Sequence, residues 1–202
     1  MNKSAKWEKE FVERFSKRYD ELKWLYCEVY NNDMKAFSWL CNSLYEYYKS
    51  RKSSLKNLDR EKEKNPDWYK TKNIIGIMLY VDAFADNLEG VREKIDYLKK
   101  CGVNYLHFMP LLKTPKGRSD GGYAVSDFRK VQHELGTMAE LEKLTAECHK
   151  NEISCCLDFV MNHTSEDHEW ARAARNGDTE AQKRYFFFDD WEYPNKFEQT
   201  VP

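Results

Sequence analysis

A chain of 202 residues is long enough for one or two domains with a sizeable core. Its 41% hydrophobic and 15% aromatic content excludes a disordered chain. A formal net charge of −1, with 33% charged residues, gives no support for a nucleic-acid partner or a polybasic membrane patch. The longest apolar run, Ile74 to Val81, is strand-sized and far short of the about 18–20 residues of a membrane span. The opening Met1 to Glu10 has basic residues but no apolar segment behind them, so no secretory signal is expected. Cys27, Cys41, Cys101, Cys148, Cys155 and Cys156 form no CxxC pair and read as buried free thiols. Together these features predict a cytoplasmic protein with no membrane partner.

Residues 1–72 read as an all-helical domain. Trp7, Phe11, Phe15, Leu22, Tyr26 and Val29 form a stripe at helical spacing, and Asn31-Asn32-Asp33 offers a break and a cap. Phe37, Leu40, Cys41, Leu44, Tyr45 and Tyr48 repeat the pattern. Lys49 to Lys64 carries seven basic and three acidic residues and reads as an exposed helix with Leu55 and Leu58 as its only anchors. Asn65-Pro66 reads as a cap followed by proline at the first helical position.

From residue 73 to 202 the rhythm becomes strand, helix, strand. Ile74 to Val81 is a continuous apolar run, expected of a strand buried on both faces. A helix with Val91, Ile95 and Leu98 on one face follows and ends at Cys101-Gly102. Val103 to Met109 is the second strand, stopped by Pro110. Thr137 and Glu140 form a capping box ahead of Met138, Leu141, Leu144 and Cys148. Ile153 to Phe159 is the third strand, and a short helix spans Glu166 to Ala174. The aromatic tail from Tyr185 onward reads as a loop. Such alternation implies a parallel sheet whose function sits in the loops after the strands' C-terminal ends. The loop from Pro110 to Gly136 far exceeds the usual length.

Two segments carry residues fit for chemistry. In Ser119 to Val125, Gly121-Gly122 allows a sharp turn, and Tyr123 could stack on a sugar ring while its hydroxyl hydrogen-bonds. The same residues suit a tight turn with a packed tyrosine and a capping Asp120. In the second segment, Asp158 at the end of the third strand needs a donor or cationic partner, because a lone buried carboxylate is costly. His163 could donate to a sugar hydroxyl or steady a carboxylate, and Asn162 with Asp158 could ligate calcium. No serine sits in a nucleophile-elbow pattern. His107, inside a strand, reads as a satisfied core histidine, and His133, His149 and His168 as surface or helix-end residues.

Asp158 to His163, D-F-V-M-N-H, resembles the first signature region of glycoside hydrolase family 13, the α-amylase clan. Gly102 to Leu112 resembles that family's second barrel strand. Ser119 to Val125 with Leu135-Gly136-Thr137 is closer to the amylosucrase subgroup, which has alanine where Ala124 stands and most members have aspartate. Pro66-Asp67-Trp68-Tyr69 and Tyr80-Val81-Asp82 are similar to that subgroup too. The resemblance covers about residues 55 to 200. It implies an N-terminal helical domain followed by the first three strand–helix units of a (β/α)8 TIM barrel.

It implies roles as well: Tyr123 as stacking platform for glucose, His163 as its hydrogen-bonding partner, and Asp120 closing the pocket by pairing with an arginine. Asp158 and Asn162 would support these three. No metal and no other cofactor is implied, since amylosucrases lack the ion that amylases hold near the position of Asn162. The partner would be a small carbohydrate, sucrose or an α-glucan.

A retaining glycosidase needs two carboxylates about 5 Å apart. In the family they follow the fourth and fifth strands, so no catalytic residue is expected in this chain and it is expected to be inactive alone. The implied parent is a retaining α-glucosyl transferase or hydrolase. Readings that stay open are a sucrose phosphorylase, a sucrose hydrolase, a maltose-isomerising enzyme and a non-catalytic carbohydrate-binding or interaction module.

Overall fold

A computed structural model describes residues 7–199, which fall into two compact units divided between Tyr69 and Lys70. The first is helical: α1 (Lys9–Val29), α2 (Met34–Ser50) and α3 (Ser53–Lys64). Asn31 and Asn32 adopt positive φ between α1 and α2, a conformation asparagine tolerates better than most residues. Asp33 then caps α2, its Oδ1 accepting from the amides of Lys35 at 3.1 Å and Ala36 at 3.0 Å, which satisfies two orphan donors of the first turn.

The expected stripes meet as a core of Phe11, Tyr45 and Tyr48, with Trp7 and Phe15 packed against it. Leu44 and Val29 were expected inside but are exposed. The buried arc of α2 runs through Phe37, Cys41, Tyr45 and Tyr48 and leaves Leu44 at its margin. Leu55 and Leu58 are half-buried, yet α3 has further anchors: Arg60 pairs with Glu10 at 2.6 Å and Arg14 with Glu63 at 2.7 Å. Arg60 holds the Glu10 carboxyl down to about 2. Asn65-Pro66 starts no α-helix. Asn65 closes α3, and a 3₁₀ turn follows at Trp68–Lys70.

The second unit carries β1 (Gly76–Leu79), α4 (Val81–Ala85), α5 (Leu88–Glu93), α6 (Ile95–Lys100), β2 (Tyr105–Phe108), β3 (Leu112–Lys113) and β4 (Asp127–Val131). It continues with α7 (Met138–Lys150), β5 (Ser154–Leu157), α8 (Glu169–Arg175), α9 (Thr179–Gln182) and α10 (Glu192–Glu198). The sheet order is β1-β2-β5, all parallel, with His107 opposite Met78 on one side and Cys156 on the other. These are opening strand–helix units of a (β/α)8 barrel.

Leu106, Phe108, Leu98, Val91, Leu144 and Cys148 are fully buried between sheet and helices. Each large aliphatic side chain there contributes about 1.5–3 kcal/mol by leaving water. The α7 capping box forms as its sequence predicts.

Several expectations change. β1 is not buried on both faces: Leu79 faces the helices, but Met78 is 64% exposed on the opposite face. β1 also ends before Val81, which opens α4. The helix bearing Val91, Ile95 and Leu98 is two pieces, α5 and α6, separated at Lys94. The long loop holds an antiparallel ribbon, β3 with β4, that no motif announced. The tail is not all loop: Pro194 fits the first turn of α10, where its missing N–H costs nothing, and the Tyr193 and Phe197 rings meet tilted, 5.4 Å apart, one turn on. The six cysteines are free thiols. Only Cys41 and Cys148 are buried, however; Cys27, Cys155 and Cys156 are half-buried, and Cys101 is exposed where it closes the last turn of α6.

Candidate carbohydrate site at the strand ends

Side chains alternate across a strand, so His107 lies on the sheet face opposite Leu106 and Phe108. Cys156 is its registered neighbour, and Asp158, two residues further on, returns to the same face. His107 Nε2 donates to Asp158 Oδ1 at 2.8 Å. Asp158 Oδ2 accepts from the Tyr123 hydroxyl, also at 2.8 Å. The carboxylate thus has the donor partners its position demands. The His107 bond, with help from Tyr123, holds the Asp158 carboxyl below its ordinary range, and Asp158 in turn pushes the Tyr123 phenol up.

Tyr123 reaches this point because of the turn before it. Gly122 has φ 97°, and a Cβ there would stand 2.8 Å from Pro110 Cβ. Asp120 itself has φ 49°, a strained conformation for a residue with a side chain. Tyr123 N donates to Asp120 O at 3.0 Å and Ala124 N to Ser119 O at 2.9 Å, fixing the turn. Buried Val125 accepts from Ser165 N at 2.8 Å, joining this loop to the one after β5. Arg118 adds ion pairs to Asp167, at 2.9 Å, and to Glu166.

The structure therefore gathers Tyr123, Asp158 and His107 into one hydrogen-bonded group. Asp120, Asn162 and His163 are exposed on the adjoining loops, and among the described residues none of their side chains hydrogen-bonds to that group. Asn162 Nδ2 donates to His163 Nδ1 at 3.3 Å. Asp120 opens a 3₁₀ turn as its first residue, so the cap position falls to Ser119. His107, expected as a core histidine, is instead a half-buried partner of the site. The period-two reading of the second strand against Asp158 was the signal that could have found it. Tyr80 was missed too: its hydroxyl lies 3.6 Å from where a Cβ on Gly121 would stand. His168 does sit at a helix end, as expected, but it is only 4% exposed, wedged beside Phe128 and Trp170. Its Nδ1 accepts from Trp170 N, capping α8.

The profile described as alpha amylase, catalytic domain, matches residues 60–202. An alpha-glucosidase of Schizosaccharomyces pombe is 31% identical over 144 residues, covering 68% of this chain and 24% of that protein. An oligo-1,6-glucosidase of Parageobacillus thermoglucosidasius is 31% identical over 143 residues, covering 66% and 25%. Among solved structures, an isomaltulose synthase mutant from Erwinia rhapontici NX5 in complex with D-glucose superposes with a TM-score of 0.55 at 30% identity. That match covers 60% of this chain and 23% of the synthase. The chain thus spans about a quarter of the length of these relatives.

Proposed function

Since the chain belongs to the alpha-amylase catalytic-domain family, we propose that it is the N-terminal part of an amylosucrase-like α-glucosyl transferase or hydrolase acting on sucrose or α-glucans. Residues 1–72 would be its helical domain and residues 73–202 the opening of its barrel. The observation that carries the reading is the Tyr123–Asp158–His107 group at the C-terminal end of parallel strands.

In this proposal Asp158 clamps the Tyr123 hydroxyl, so the ring is held at a fixed angle and can stack on the apolar face of a glucosyl unit. His107 orients the carboxylate from behind. Asp120 and His163, both exposed, are free to hydrogen-bond sugar hydroxyls, and Asn162 sets the His163 ring through Nδ1. These residues bind and orient. The nucleophile and the acid/base of a retaining mechanism would come from later strands. Ala124 within G-G-Y-A-V supports the amylosucrase assignment.

The isomaltulose synthase likeness supports a second reading, a sucrose-isomerising enzyme. No metal is proposed; stoichiometric calcium binding with a raised melting temperature would contradict that. The free thiols support a reducing, cytoplasmic setting, and among the described residues no helix is long and apolar enough to cross a membrane.

The test compares the 202-residue chain with the product of the reading frame continued past Pro202, each incubated with sucrose. The longer protein is expected to release fructose and build glucan, while the chain alone does neither. Isomaltulose as the main product would favour the second reading. Sucrose turnover by the chain alone would overturn the fragment proposal. Saturable sugar binding without any downstream frame would favour a binding module.

A further inference from the structure

A groove of about 850 Å³ runs between the β3–β4 ribbon and α8, and none of Tyr123, Asp158, His107, Asp120 or His163 lines it. Its size is within the range of small-molecule sites. Its charges do not balance. Asp127 is engaged by Lys130 at 3.1 Å and by the Arg129 amide. Glu134 accepts from Gln132 at 2.6 Å, and Asp167 is paired with Arg118. Lys113, Lys116, Arg129 and Arg172 also line the groove, and among the described residues none of these four makes an ion pair. Glu134, whose bond from the neutral Gln132 amide leaves its charge in place, and Glu169 are the two lining carboxylates left to offset them.

The four cations come from two separate places, the ribbon with the loop that connects its strands and α8. A ligand that satisfies them must carry more than one negative charge or spread its charge over several oxygens. No Phe, Tyr or Trp lines the groove, so there is no platform on which a nucleobase could stack. Lysine and arginine together suit phosphate oxygens, arginine through its planar fork and lysine as a point charge. Ser126 Oγ donates to Lys113 O at 3.1 Å and keeps lone pairs that can accept from a ligand hydroxyl.

We propose that this groove binds a small phosphorylated sugar. The assignment does not rest on the glucosyl-pocket reading. Because the charges are exposed, affinity should be modest and fall with added salt.

Equilibrium dialysis of the chain at low concentration against radiolabelled glucose 6-phosphate tests it. Saturable binding is expected, weakened by salt, with Lys113 and Lys116 protected from amine acetylation by the bound probe. Arg129→Gln with Arg172→Gln should weaken binding roughly tenfold or more, while Arg129→Lys with Arg172→Lys should keep most of it. Unchanged melting temperatures show that both variants fold. Equal binding of unphosphorylated glucose would overturn the proposal. So would equal competition by sulfate, which would reveal a bare anion patch, or the absence of saturation or of lysine protection.

Discussion

Asp158 is the residue on which the site turns, and its chemistry fixes two expectations. Removing one donor with Tyr123→Phe should destabilise the second unit by about 1–2 kcal/mol, the lower part of the range for a bond to a charged group, because the pair is half-buried. Its folded carboxyl lies below the unfolded value of about 3.9. The stability it contributes is therefore complete above that value and lost as pH falls through the lowered one. Asp158→Asn should flatten that acid limb in thermal melts; an unchanged limb would show the pair contributes nothing.

His168 acts higher on the scale. Burial pushes its imidazole down, with Glu169 and Asp127 opposing and Arg129 reinforcing the shift. Folding then favours the neutral ring, so stability is full above about 6.5 and is lost as pH falls through the lowered value. His168→Asn keeps a capping side chain without a titrating ring and should remove the slope that sets in as pH falls below about 6.5. The need of Asp158 for a partner was legible in the sequence, but His107 as that partner was not. A lone histidine inside a strand has a face only once its neighbour strand sets the register.

At the level of elements, the glycine pair shows what a short motif specifies. Gly122→Ala would place a methyl group against Pro110 in a left-handed turn, costing about 1–3 kcal/mol or more. Its melting temperature should drop by several degrees; an unshifted melt would mean the loop rearranges freely. The turn itself was readable because Gly-Gly has few other uses. The ribbon behind it was not. β3 is two residues long and β4 pairs with it through a register shift, so neither shows a clean alternation. Helices were easier where a stripe repeated over several turns, as in α1 and α2. They were harder where a break at one residue, Lys94, divides α5 from α6 without proline or glycine.

For the whole molecule, the sheet is only partly covered. Helices protect Leu106 and Phe108, while Met78 on one face and Leu157 and Phe159 toward the β5 edge stay in water. An apolar strand edge of this kind is a template for association. Light scattering should report a particle size that grows with concentration and an appreciable uptake of a hydrophobic dye. A monodisperse monomer at high concentration would contradict this. The sequence predicted a parallel sheet from its alternation of strands and helices. It misjudged β1 as buried on both sides, since a continuous apolar run shows what a strand can tolerate and says nothing of what stands next to it.

The same sheet also guards its own alignment. His107 meets Asp158 because β5 lies beside β2 in one register. Were β5 to pair one residue out of step, every side chain would change face, and the Asp158 carboxylate would be driven among Leu106, Phe108 and Leu144 with no donor. An unpaired charge in such surroundings costs several kcal/mol, enough to reject the mispaired form during folding. The acidic group that orients Tyr123 in the finished protein is thus also a proofreader of strand pairing while the chain assembles.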